Sequence, residues 1–279
     1  MGRVAEHRDT SWLKMNLRAV IGRAYPRVIG ANREPSWIFF ETALPILAVA
    51  AYIFYYHALH AEDRYIGYVI IGGAMTAYWI NVLWSMAAQL YWEKEMGNLE
   101  IYMTAPISRM AVLGGMALGG MFTTTIRAVT IIAAGMLVFN VRLMVTEPLT
   151  LLGVFGFTML ALYGMGMLFA SLYLLWGREA WHMSSLLTEP IYLVSGIYFP
   201  VRYLGFAVAA AASLIPVTLG LDAMRQLLYP GTIDGFLPVW VELVGLIALS
   251  VIFLGFAKAG LGYMEYVAKK KGRLTMRWQ

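Results

Sequence analysis

Ionisable side chains within apolar stretches are the first places to look for chemistry in this chain, because each is costly to hold away from water. Five lie in such stretches: Glu41, Arg127, Glu189, Glu242 and Lys258. Arg127 sits ~25 Å along its stretch and Glu189 only ~9 Å along its own, at 1.5 Å per residue, which disfavours a direct ion pair. Glu41, Glu242 and Lys258 are near the ends of theirs, where long side chains snorkel to the interface. Glu189 precedes Pro190, so it is a candidate for lining a path at a helix break, and Arg127 joins it as a candidate path or gating residue. No metal centre is expected. His7, His57, His60 and His182 lack ligand spacing, and there is no cysteine. The one dense acidic cluster, Glu93, Glu95 and Glu100, has no histidine partner. An integral-membrane enzyme acting on lipid would need a cluster of His, Asp or Glu at one membrane face. That enzyme and a passive channel remain the competing classes.

The elements around these residues follow from composition. Of 279 residues 60% are hydrophobic and 13% charged, with a mean hydropathy of +0.67. Soluble domains carry about 25% charged residues, so an all-α polytopic membrane protein is expected. Six spans can be read, at about 37–58, 65–91, 110–139, 148–176, 183–199 and 237–262. Helices satisfy their own backbone hydrogen bonds in lipid, which open strands cannot do. The apolar run 204–216 is too short to span, and Pro200 and Pro216 bracket it. Residues 200–230 therefore read as a broken helical element re-entering one leaflet on the outer side. No cleavable signal peptide is expected, since the first 36 residues are polar and charged.

The net charge of +5 suggests nucleic acid until its distribution is examined. With a cytosolic N-terminus, 15 of the 21 Lys and Arg residues fall in inside segments. Only Arg64, Arg142, Arg202 and Arg225 fall outside. This bias places both termini in the cytosol and accounts for the basic excess without nucleic acid. Residues 12–25 form an amphipathic helix, with Leu13, Leu17, Val20, Ile21 and Ala24 in one arc and Pro26 ending the pattern, suited to the headgroup layer. Lys269, Lys270, Lys271 and Arg273 meet anionic lipid. Gly115 and Gly119, and Gly164 and Gly166, mark close helix contacts. The nine Trp and 17 Tyr are mostly interfacial belt.

Between the second and third spans lies a polar segment that a simple turn does not require. Glu93, Lys94, Glu95 and Glu100 project charge, and Leu99, Ile101, Tyr102 and Met103 give an apolar side. Gly97 permits a sharp change of direction, and Pro106 stops or starts a helix. A short helix lying across the cytosolic surface is expected.

Three stretches carry a resemblance. Lys94-Glu95-Met96-Gly97-Asn98-Leu99-Glu100, with Thr104-Ala105-Pro106-Ile107-Ser108, resembles the coupling-helix region of type-2 ABC exporter permeases, the ABC-2 family. Leu193 to Pro200 with Leu204, and Leu214 to Arg225, are similar to the stretches flanking the short extracellular helices of its drug-type members. Asn98 stands where Thr is commoner. The resemblance implies a cytosolic N-terminal segment (1–36), a transmembrane domain (37–262) and a basic tail (263–279) in the cytoplasmic membrane. It also implies a dimer, homodimeric in the simplest form, with a separate ATPase subunit docked on each coupling helix near Glu93, Glu95, Gly97, Asn98, Leu99 and Glu100. ATP and Mg would belong to that partner, since this chain has no G-x-x-x-x-G-K-[ST] loop. Ser195 and Phe199, with Glu189 and Arg127, become candidates for the substrate path. The implied substrate is amphipathic: a drug, a lipid or a lipid-linked glycan.

Overall fold

The computed structural model describes residues 2–31, 33, 35–176, 180–231 and 235–271. Among the described residues all regular structure is helical. The expectations for Arg178 and the tail from 272 onward, and for the side chains of His7, Glu41, Lys269 and Lys271, lie outside the described residues.

The helices are α1 (Gly2–Ala31), α2 (Pro35–Ala58), α3 (Asp63–Ile80), α4 (Gln89–Glu95), α5 (Asn98–Thr104), α6 (Arg109–Phe139), α7 (Pro148–Trp176), α8 (Ala180–Val194), α9 (Phe206–Ala212), α10 (Pro216–Leu228) and α11 (Val239–Lys271). A π-helical segment, Asn81–Ala87, joins α3 to α4, so that Asp63–Glu95 runs as one span. Among the described residues four helices are long and apolar enough to cross a membrane: Asp63–Glu95, α6, α7 and α11. A fifth crossing is possible if α9 and α10, bent by 110° at Pro216, count as one. The expected first span falls on the 24-residue α2, in which the apolar stretch Thr42–Ala58 is found among the described residues, and the expected fifth falls on the 15-residue α8, which ends at Val194.

Span 2, Asp63–Glu95, is the axis of the bundle and is almost wholly buried. Its Tyr68, Tyr78, Trp79, Leu83 and Met86 are among the largest fully enclosed side chains. It packs against α2 and α6 on one side and α7 and α10 on the other, while α7 and α11 pair along their lengths. Large apolar side chains are equally common on the outside, among them Leu137, Leu149 and Phe206, at 83%, 82% and 78% exposure. In lipid, burial of a leucine gains little, so close packing and internal hydrogen bonds distinguish interior from surface.

Small residues accordingly mark the tightest contacts. A Cβ on Gly115 would stand 2.5 Å from the Val20 carbonyl oxygen, and one on Gly119 3.0 Å from that of Ala24. The Gly-x-x-x-Gly stripe therefore seats α1 directly on α6. Gly164 meets Leu254 of α11, and Gly166 meets Val82 in the π segment.

Two expectations from the sequence change. Pro26 does not end the N-terminal helix, which continues to Ala31. The helix is clamped on both sides of the proline, by Arg23 and Arg27 to span 2 and by Ala24 to Gly119, and these contacts outweigh the lost backbone bond. Glu242 does not snorkel: it is completely enclosed and faces the Gln226 amide at 3.3 Å.

Candidate functional site

The segment after span 2 folds as an elbow. Gly97 has φ 79°, the left-handed conformation that side chains disfavour, and it reverses the chain from α4 into α5. Ala105 and Ser108 are extended on either side of Pro106, and α6 then begins at Arg109.

Glu93 ties the elbow together. It is 2% exposed, at the last turn of span 2. One carboxylate oxygen accepts from the Arg23 guanidinium and from Gln89 Nε2 at 2.8 Å. The other accepts from Asn98 Nδ2 at 3.0 Å and from the Tyr102 hydroxyl at 3.2 Å. The Arg23 guanidinium also lies over the Tyr102 ring, 5.5 Å from its centre. A carboxylate can be buried when charge-assisted donors replace its water, and here those donors come from α1, α4 and α5. Asn16 of α1 adds a second tether, accepting from the Ser108 backbone N–H at 2.7 Å. Arg109 forms a bidentate pair with Glu265 of α11, one arm at 2.7 Å. The elbow is thus fastened to the N-terminal helix and to the last helix.

The six elbow residues anticipated from sequence divide by position. Glu93 and Leu99 point inward, Leu99 sharing a core cluster with Leu90, Val112, Leu113, Leu261 and Met264. Glu95, Gly97 and Asn98 are half-buried, and Glu100 is exposed. The outward face carries Trp92, Met96, Glu100 and Ile101, with Met96 and Ile101 about 60% exposed. Along α1, Trp12, Leu13, Leu17, Ile21 and Tyr25 face outward, and Asn16 and Arg23 are turned toward the elbow.

At the opposite end of span 2, Arg225 of α10 is buried among carbonyl oxygens. Its two terminal nitrogens donate to Gly196 at 2.6 Å, Ile197 at 2.7 Å, Tyr68 at 2.9 Å and Phe199 at 3.3 Å. It thereby pins the turn after α8 to span 2. Ser195 and Phe199 lie in this turn, Ser195 buried and Phe199 half-buried. Glu189 is exposed on α8, near Tyr192 and Tyr198. Arg127 is elsewhere, on the wall of a cavity it shares with Arg23 and Arg27 of α1. The structure therefore does not gather the four path candidates into one site.

From sequence alone Arg225 reads as an outer-loop charge, not as a clamp. The signal was present: Asp222, Arg225 and Gln226 recur on an otherwise apolar helix. Arg23 and Arg27 register in the sequence only as topology signals, and nothing in the sequence marks Asn16.

No curated protein matches the chain. A family model described as ABC-2 type transporter matches residues 18–229, a stretch that runs from α1 through the elbow to the end of the Arg225 clamp. That match covers well over half of the sequence, and the chain belongs to the ABC-2 type transporter membrane family.

Proposed function

We propose that this chain is the permease subunit of an ATP-driven exporter, moved by a separate ATPase that grips the elbow. The observation that carries the reading is the division of the elbow into two faces. The inner face, through Glu93 and the Ser108 N–H, is fastened to Arg23 and Asn16 of α1, and α6, which leaves the elbow at Arg109, is tied by that residue to Glu265 of α11. The outer face, with Trp92, Met96, Glu100 and Ile101, stands away from the bundle. A push on that outer face would move three helices together. In thermodynamic terms, the partner acts by binding one arrangement of the spans better than the other.

The rest of the reading follows from the family and the charge pattern. The elbow and both termini are cytosolic, with α2 and α8 as first and fifth spans and α9–α10 as a re-entrant pair on the outer side. Two copies, most simply a homodimer, surround the substrate path in the cytoplasmic membrane. ATP and Mg bind the partner. The substrate is an amphipathic drug, lipid or lipid-linked glycan. The stretch Ser195 to Pro200 favours the drug-type members, and a glycan exporter is the second reading.

The natural sequence has no cysteine, so single-cysteine variants report cleanly. A benzophenone maleimide on Met96→Cys or Ile101→Cys, activated in native membranes, should capture a protein carrying a G-x-x-x-x-G-K-[ST] loop. The same label on Phe206→Cys should not. Identical products from both positions, or no nucleotide-binding protein at Met96, would count against the assignment.

A further inference from the structure

A cavity of about 730 Å³ opens between α1, α2, span 2 and α6. Its volume falls within the range of small-molecule sites. Span 2 forms one wall from Ala77 to Gln89, about 18 Å along the helix axis, so the cavity reaches from the elbow end toward the middle of the membrane. The π segment shapes this wall: Asn81, Trp84 and Ser85 line it. Such segments recur at functional positions. Nothing in Asn81-Val82-Leu83-Trp84-Ser85-Met86-Ala87 announces one by propensity.

The lining is divided by chemistry. Arg23, Arg27 and Arg127 supply three guanidiniums, while Phe40, Leu44, Ile80 and Trp84 supply apolar surface. Among the described lining residues there is no carboxylate. Arg23 also reaches Glu93, which is shared with three other donors. Arg27 is oriented by Ser85 and by Gln89 at 3.3 Å, both neutral groups. Burial pulls the Arg27 guanidinium down to about 10, and the positive charges of Arg23 and Arg127 push in the same direction. Arg27 therefore stays charged at pH 7 against mutual repulsion, which an anion in the cavity would relieve. Planar guanidinium forks match phosphate oxygens in pairs. Phe40 and Leu44 line the α2 side of the cavity and are themselves about 60% exposed.

We propose that this cavity binds the phosphate-type anionic head of an amphiphile whose apolar tail leaves past Phe40 and Leu44 into the bilayer. The inference deepens the exporter reading by naming a substrate class, but binding itself needs no ATPase.

Native mass spectrometry of the full chain in detergent tests it. The chain is offered equal amounts of dioleoyl phosphatidic acid and dioleoyl phosphatidylcholine, which share their tails. Retention of the phosphatidic acid should exceed that of the phosphatidylcholine by about tenfold, the scale of one charge-assisted contact. Arg27→Gln and Arg127→Gln should bring the ratio near one, Arg127→Lys should keep most of it, and Arg202→Gln at the far end should leave it unchanged. The comparison of Arg127→Lys with Arg127→Gln guards against a folding defect at Arg27. Equal retention of the two lipids, or an Arg127→Gln variant that behaves as the natural chain, overturns the proposal. Displacement of phosphatidic acid by millimolar inorganic phosphate also overturns it, since the site would then be one for a free anion. Failure here leaves the elbow crosslink intact, and failure of that crosslink leaves this lipid preference intact.

Discussion

Replacement of Glu93 by alanine should loosen the elbow without unfolding the bundle. The substitution strips one acceptor from four donors on three helices: Arg23, Gln89, Asn98 and Tyr102. Breaking a buried ion pair by removing one member typically costs 3–5 kcal/mol. The Arg23 side chain is 24% exposed, so water recovers part of that loss, and about 2 kcal/mol is the better figure for this site. The cost falls on the seating of α5 against α1 and α4, because the core contacts of span 2 are untouched. At about 1.4 kcal/mol per tenfold change, amides of residues 98–104 should exchange with deuterium roughly 30-fold faster. Hydrogen exchange of the purified chain reads this directly. A double-mutant cycle with Arg23→Gln should show coupling of about 1–2 kcal/mol, since the two residues share one contact. Exchange within about threefold of the natural chain, with additive single variants, would refute the claim that Glu93 holds the elbow.

Three further outcomes follow from the same geometry. Gly115→Val should displace α1 from α6 and make residues 12–25 more susceptible to protease, whereas Gly114→Ala, with nothing within 4 Å of its Cβ, should not. Arg225→Met should strand four carbonyl oxygens and sharply lower the monodisperse yield on size exclusion; Arg225→Lys should rescue it poorly, because an ammonium lacks the planar fork. The pair Met96→Asp with Ile101→Asp should leave yield and elution unchanged while abolishing co-purification of an ATPase, and retained co-purification would move the docking surface elsewhere.

Much of the architecture is legible in the sequence because lipid imposes a simple rule: long apolar runs become helices. The elbow is legible too, because Gly97, Pro106 and a cluster of charges between two apolar runs have few other uses. The Gly115 and Gly119 stripe announces a close contact, though its partner is the N-terminal helix rather than another span. What the sequence hides is direction. Glu93 and Glu100 look alike in a string, yet one is enclosed by four donors and the other faces outward. Helical period alone does not tell which face a polar residue takes when both faces are apolar or partnered. The same blindness applies to Arg23 and Arg27, which count as topology signals until span 2 is seen beside them. Arg225 is hidden because its partners are backbone carbonyls, which leave no residue-type signature. The π segment at Asn81–Ala87 depends on tertiary fit, and its residues have no distinguishing propensity.

The central claim is that this permease is driven through its elbow by a separate nucleotide-hydrolysing partner. Proteoliposomes holding the chain, with and without the captured ATPase, test it most directly through movement of a fluorescent phospholipid between leaflets. The account expects ATP-dependent movement only when both proteins are present, and its loss with Met96→Asp and Ile101→Asp. Equal movement by the chain alone, with ATP or without it, would contradict it.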